Sequence, residues 1–259
     1  MTAENFLKGI LPFPLRRWLR VMQIRAGRLV RRLRSRADVG SLRRTMPVDA
    51  EWGWGRGQVI DRYYIESFLA EHAEDVRGHV LDFADDSYAR KFGGAKATKI
   101  DVLHLTEGNP CATLVADLAR AEQIASQTFD CIICTQVLLY VFDVQSAIRT
   151  LYRILKPGGI LLVTVPGIQK IDRGSIEPGG DYWRFTTFSL RRLFEEVFTK
   201  DHVEVKGHGN VLTATAFLYG FAVEDLRHAD LEYHDPDYEV TIALRAVKPQ
   251  AALGPLHRP

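Results

Sequence analysis

No apolar run of about 18 residues occurs in the 259-residue chain, so no bilayer-spanning helix is expected. The N-terminus lacks an uninterrupted apolar stretch ending at a small-residue cleavage site, and no secretory signal is expected either. Cysteine is scarce: three residues are too few and too odd for a disulfide framework, which favours a reducing, cytoplasmic setting. Cys131 and Cys134 form a C-x-x-C, but "FDCIICTQ" reads as a buried strand, where residues three apart face opposite sides. Chelation by that pair is disfavoured, and both are read as small core residues. His104, His202, His208 and His234 are scattered without metal-site spacing, so they are read as structural or surface residues and no metal is expected. No internal repeat is visible.

What the chain does have is a charge asymmetry beneath its net +2. Residues 1–45 carry 12 Lys/Arg against Glu4 and Asp38, a balance of +10, while the remainder carries 22 against 30, or −8. A basic arm therefore precedes an acidic domain. Pro14 suits a first helical position, and Leu15, Trp18, Leu19, Met22, Ala26, Leu29, Val30 and Leu33 follow steps of three and four. At 100° per residue they form one stripe roughly 120° wide, with Arg16, Arg17, Arg20, Arg28, Arg31 and Arg34 off it. Such a helix over residues 14–36 suits either an anionic membrane surface, peripherally at the inner membrane, or a protein surface. Nucleic acid fits poorly, since no stacking aromatics or reader motif accompany the arginines.

The chain is accordingly expected to divide into four stretches: the arm at 1–45, a linker and capping helix at 46–77, a domain at 78–248, and a disordered tail at 249–259. "VIDRYYIESFLAEHAEDVRG" reads as a helix closing at Gly78. Strands are expected at Val80–Phe83, Lys99–Leu103, Thr113–Ala116, Phe129–Thr135 and Ile160–Val165, with a short helix after Asp86 and a longer one through Asp143–Leu155. Pro157 is expected to stop that helix and Gly158–Gly159 to turn the chain. A helix through Ser189–Phe198, a strand in "HVEVKGHG", a helical "NVLTATAFLYGFAVEDL" and a last strand in "YEVTIALRAV" complete the order. Near-continuous apolar strands alternating with helices predict a parallel sheet covered on both faces.

Ligands of such sheets bind at the carboxyl ends of the strands. Asp82 stands near the end of the first strand, Asp101 near the end of the second, Asp117 after the third, and Thr135 and Gln136 at the end of the fourth. Asp101 lies 19 residues after Asp82, where a carboxylate could accept from both hydroxyls of a ribose. The loop after Asp82 has Ala84, Asp85, Asp86 and Ser87 where a dinucleotide site would have glycines. Asp85 and Asp86 would repel a pyrophosphate at a cost of about 1 kcal/mol or more each, so a nicotinamide dinucleotide is disfavoured. An acidic loop can instead attract a cationic ligand, or cap the helix behind it.

The order "VLDFADDSY … KIDVLH … VADL … FDCIICTQVLLYV … RILKPGGILLVTVPG" resembles the class I S-adenosylmethionine-dependent methyltransferases, in particular the methyltransferase-11-like proteins found in bacteria. The resemblance spans roughly residues 78–247. It implies an α/β, Rossmann-like, seven-stranded and mostly parallel sheet with helices on both faces, here preceded by the helical arm, and S-adenosyl-L-methionine as cofactor. It further implies that Asp82, Phe83 and Ala84 hold the methionine end, that Asp101 with Val102 takes the ribose, and that Asp117 and Leu118 frame the adenine. Thr135 and Gln136 would flank the methionine and open toward the acceptor. The family's acid-x-Gly-x-Gly-x-Gly would need glycines at Ala84, Asp86 and Tyr88.

Methyl transfer mainly requires alignment and exclusion of water, so no lone catalyst is demanded. Asp181, Trp183 and Arg184, in "GGDYWRFTTFSL", are the catalytic candidates because they follow the fifth strand on a Gly-rich loop. The competing reading packs Trp183 and Phe185 down and pairs Arg184 with Asp181. Tyr63 and Tyr64 could cover the methionine end or belong to the core. The expected function is methyl transfer to a small polar acceptor such as a sugar or glycan hydroxyl; the alternative is a non-catalytic scaffold or partner-binding protein of the same fold.

Overall fold

The computed structural model describes residues 43–173 and 180–250. The expected arm helix at 14–36 and most of the expected tail lie outside the described residues. The chain divides into two units, residues 1–45 and 46–259, and the second contains the sheet and the helices that cover it.

Seven strands form one sheet in the order β3-β2-β1-β4-β5-β7-β6. They are β1 (Gly78–Phe83), β2 (Ala97–His104), β3 (Leu114–Val115), β4 (Phe129–Thr135), β5 (Leu155–Pro166), β6 (Val203–His208) and β7 (Thr241–Val247). The first five run parallel, while β7 is antiparallel to both β5 and β6. The helices are α1 (Ile60–Glu71), α2 (Val144–Ile154), α3 (Thr187–Phe198), α4 (Val211–Leu218) and α5 (His228–Glu232). Among the described residues no helix is long and apolar enough to cross a membrane.

The two-residue period of a strand divides the core. Ile132 and Cys134 join α2 and α3 residues on one face, whereas Cys131 and Ile133 meet Ile65, Phe68 and Leu69 of α1 on the other. The C-x-x-C cysteines thus point to opposite faces as the spacing implied, and both are free and buried. Helix α2 is capped by Asp143, whose carboxylate accepts from the Ser146 N–H at 3.0 Å. It ends at Ile154, earlier than Pro157: Leu155 is already extended and paired with Phe129. Pro157 disfavours helix in the residue before it, so the break is registered upstream of the ring. Thr186 and Ser189 cap α3 reciprocally, each side chain accepting the other's backbone N–H.

Helix α4 stops at Leu218 rather than running on through "YGFAVEDL". Gly220 adopts φ +71°, a left-handed turn, and a Cβ there would sit 1.9 Å from the Asp49 carbonyl oxygen. That approach fastens residues 46–59 to the domain. The Val48 N–H donates to Tyr219 O at 2.7 Å, Arg56 Nε to Asp225 at 2.8 Å, and the Gln58 N–H to Glu224 at 2.9 Å. The stretch expected as a linker is therefore pinned along its length, and its Val59 joins a third core cluster with Ile60, Tyr64, Phe217 and Leu231. Tyr64 is a core residue, its hydroxyl donating to Leu231 O at 3.1 Å, and Tyr63 bonds Glu232; neither lines either of the two cavities described below.

Candidate functional site

Two cavities open at the carboxyl ends of the parallel strands. The larger, about 610 Å³, is built from the ends of β1, β2, β3 and β4. That size lies within the usual range for small-molecule sites.

Phe83 and Ala84 carry β1 into the larger cavity. Ala84 has φ +65°, the left-handed conformation that glycine adopts freely and alanine at a cost. It is held there from both sides: its N–H donates to Leu103 O at 3.3 Å, and its carbonyl accepts from Asn109 Nδ2 at 2.6 Å. The shape of a glycine loop is kept without the glycine. Asp82, only 2 % exposed, lines neither cavity; its carboxylate accepts from the Phe83 and Ala89 N–H groups, each at 2.9 Å, and so ties the loop's two ends together. Burial pushes its carboxyl up to about 7 against those two hydrogen bonds. Asp85 and Asp86 also serve the loop rather than a ligand. The first accepts from the Ser87 N–H at 2.8 Å and the second pairs with Arg90 at 2.6 Å.

Asp101 does not stand where a ribose acid was expected. Strand β2 continues past it to His104, so Asp101 sits one pleat below the rim, paired in register with Leu81. Its carboxylate meets His79 Nε2 at 2.6 Å, Thr113 Oγ1 at 2.9 Å and Lys99 Nζ at 3.2 Å. Burial would raise this carboxyl, but His79, Thr113 and Lys99 overcome it and hold it below the usual range. Val102 is buried and its N–H donates to Thr113 Oγ1. Leu103, His104, Leu105 and Thr106 take the place at the rim that Asp101 and Val102 were expected to hold.

Asp117 and Leu118 do line the cavity. One Asp117 oxygen accepts from the Ala119 N–H at 2.9 Å and so starts the short turn Leu118–Arg120. Thr135 and Gln136 line both cavities, as does Tyr140. Gln136 has φ +53°, and its amide Oε1 and Nε2 are both buried without a hydrogen-bond partner. Buried amide atoms left unpaired cost about 1–3 kcal/mol each, which a ligand can recover.

Among the described residues after β5, the catalytic candidates bond one another and nearby backbone. Arg184 forks onto the Asp181 carboxylate and also donates to Gln169 O and Lys170 O. Burial opposes ionisation of Asp181, but Arg184 overcomes it and holds the carboxyl below the usual range. The Trp183 indole donates to Val141 O at 3.1 Å. Of this stretch it is Tyr182 that reaches the larger cavity, edge-on to the exposed Phe142 at 5.4 Å. The pairing of Arg184 with Asp181 was the competing reading, and it is what the structure shows.

Sequence reasoning missed the smaller cavity, about 250 Å³. The pinned stretch supplies Trp52 and Trp54, α1 supplies Asp61 and Arg62, and Tyr88, Gln169 and Asp172 close it. The Arg62 guanidinium lies 4.8 Å from the Trp54 ring centroid and 5.9 Å from that of Tyr88, and Lys170 Nζ lies 3.4 Å from that of Trp52. Tyr140 donates to Asp172 at 2.9 Å. Burial pushes the Asp61 carboxyl up to about 6. The one sequence signal for this wall was two tryptophans in a glycine-bearing stretch.

Residues 66–163 match the family model described as a methyltransferase domain. Over that stretch the chain is similar to methyltransferase domains. Among curated relatives, the ubiquinone/menaquinone biosynthesis C-methyltransferase UbiE of Klebsiella pneumoniae (strain 342) is 36% identical over 83 residues, 32% of this chain and 31% of that protein. Its counterpart from Pasteurella multocida (strain Pm70) is 32% identical over 83 residues, covering 32% and 29%. The matched part thus spans about a third of the length of these relatives. In fold, the methyltransferase domain is similar to phosphoethanolamine N-methyltransferase 2 of Haemonchus contortus in complex with S-adenosyl-L-methionine. The TM-score is 0.53 at 15% identity, over 77% of this chain and 56% of that one.

Proposed function

We propose that the chain is an S-adenosylmethionine-dependent methyltransferase that methylates a small polar acceptor, a sugar or glycan hydroxyl. The observation that carries this reading is the meeting of two cavities at Thr135, Gln136 and Tyr140. In-line transfer needs donor and acceptor on opposite sides of one point, held together away from water. The larger cavity suits the cofactor, which supplies a methyl group on a positively charged sulfur.

The residues present fit that group. Asp117 has one carboxylate oxygen not used by Ala119, available to an amino group, beside the apolar Leu118. His104 and Thr106 stand at the rim for hydroxyls, in place of Asp101. The Ala84 backbone turns as a glycine would, and the Gln136 amide offers a donor and an acceptor without partners. The scaffold reading drew its force from the missing glycines, and the left-handed Ala84 removes most of it. The basic stretch at 14–36 supports attachment to an anionic membrane surface or a protein partner. Equal sedimentation with anionic liposomes, with and without residues 1–45, would exclude the membrane role.

Calorimetric titration with S-adenosylmethionine and S-adenosylhomocysteine tests the assignment. Asp117→Ala is expected to weaken binding about 10-fold or more, in line with about 1.5–3 kcal/mol for a hydrogen bond to a charged group. Asp101→Ala is expected to leave affinity within about threefold, a change under 1 kcal/mol. Absence of binding to either ligand would overturn the proposal.

A further inference from the structure

The smaller cavity has a chemistry of its own. Its aromatic faces already carry cations: Lys170 sits on Trp52, and Arg62 sits over Trp54 and Tyr88. A cationic acceptor would have to displace them, because a ring face attracts one positive charge at a time. Two carboxylates, Asp61 and Asp172, line the same cavity and disfavour an anion. What remains suited to the space is an uncharged molecule that offers hydroxyls to Asp61, Asp172, Gln136 and Gln169 while its carbon skeleton lies against indole. Both Asp61 and Arg62 line the cavity; Arg62 lies over Trp54 and Tyr88, and Asp61 accepts from the backbone at its own helix start and feels the Arg62 charge.

We propose that the smaller cavity binds an uncharged, polyhydroxylated acceptor, and that Asp61 is the catalytic residue that takes the proton from the hydroxyl being methylated. The inference rests on the cofactor occupying the larger cavity. In the step, a lone pair of the acceptor oxygen forms the O–CH3 bond while the S–CH3 bond breaks. The sulfur keeps the bonding pair and leaves as a neutral thioether, and the hydroxyl proton passes to the Asp61 carboxylate. No oxidant or further reactant is needed. A neutral hydroxyl is a weak nucleophile and its methylated oxonium form a strong acid, so a carboxylate at that place lowers the barrier. Asp61 shares the cavity lining with Arg62 of its own helix, Tyr88 from the loop after β1, Tyr140 from the turn after β4 and Asp172 from the loop after β5. Burial raises both Tyr88 and Tyr140, so neither titrates where a carboxylate does.

The test uses the full chain and begins with calorimetric binding of S-adenosylhomocysteine. With that ligand saturating, tryptophan fluorescence is followed during titration with the methyl glycosides of glucose, galactose, mannose and rhamnose. Choline and inorganic phosphate serve as the charged probes. Methyl transfer from tritiated S-adenosylmethionine to the same glycosides is then measured against pH. Saturable binding of at least one glycoside, with none of choline or phosphate, is expected. The rate should rise with pH through about 6. Asp61→Asn should keep binding of S-adenosylhomocysteine and glycoside while losing about 100-fold or more in rate, the usual size of a lost general base. The wild-type pH profile decides the matter if that variant does not fold. Binding of choline or phosphate but no glycoside, a wild-type rate without the limb near pH 6, or an Asp61→Asn rate near wild type overturns the proposal. Failure to bind S-adenosylhomocysteine overturns the cofactor assignment and this inference together. Its binding without any glycoside binding overturns this inference alone.

Discussion

Replacing Ala84 by glycine should stabilise the protein. Ala84 holds φ +65°, a conformation that costs a residue with a Cβ about 1–2 kcal/mol. Glycine escapes that cost but gives up about 0.5–1 kcal/mol more backbone entropy on folding. The balance spans about 0–1.5 kcal/mol and centres on a gain of about 0.75 kcal/mol, or about 1.5–3 °C in melting temperature for a domain of this size. That gain requires that alanine cannot relax its backbone in the native state. The hydrogen bonds of Ala84 to Leu103 and Asn109 supply the constraint. Gly94 provides the mirror experiment: at φ +53° with nothing near its missing Cβ, Gly94→Ala isolates backbone strain and should cost about 1 kcal/mol or more. Thermal and urea unfolding of both variants, alone and with S-adenosylhomocysteine, reads the two signs. A melting temperature for Ala84→Gly at or below wild type, alongside a loss for Gly94→Ala, would refute the reasoning. It would mean that the loop around Ala84 relaxes despite its two hydrogen bonds.

Arg184→Ala should destabilise by about 3–5 kcal/mol in urea unfolding, because the Asp181 side chain is 1% exposed and would be left without its counter-ion. Removing both charges with Asp181→Leu and Arg184→Met should cost less than that single change. His208 is 6% exposed and burial lowers it to about 4, so it folds neutral. Its contribution is complete above the unfolded value near 6.5 and is lost as pH falls toward 4, about 3 kcal/mol in all. Stability curves of wild type minus His208→Phe should show that slope; the subtraction removes the opposite trend from Asp82, whose raised carboxyl loses stability as pH rises toward 7. Gly220→Ala should cost about 2–5 kcal/mol, combining left-handed strain with the Asp49 clash. It should also raise protease sensitivity at residues 46–59.

Apolar pattern carried the fold well. Strand β4 matches its expected bounds, and the alternation along it sorted Cys131 from Cys134, because a buried face leaves a two-residue signature. Strand ends are less legible. The apolar run of β2 does not say whether the rim lies at Asp101 or at His104, and a difference of three residues moved the expected binding acid into a half-buried bracing position. In the loop after β5, sequence proposed both a reactive and a structural role for Arg184, and only three-dimensional contacts chose between them. The far wall of the smaller cavity was barely legible. Trp52, Trp54 and Asp61 come to the site through Asp49 and Gly220, which meet across 171 positions of sequence, and no local pattern encodes that meeting.

The placement of the cysteines makes the chain a ready subject for site-directed labelling. Cys131 and Cys134 are buried, and desolvation raises both thiols far out of the reactive range. Cys111, by contrast, is exposed, and its N–H donates to the Asn109 side-chain carbonyl at 2.9 Å. Asn109 is the residue whose amide grips Ala84. A maleimide dye added to the unmodified protein would therefore attach at one position, two residues from the clasp on the cofactor loop. Its emission would report movement of that loop with no engineered cysteine.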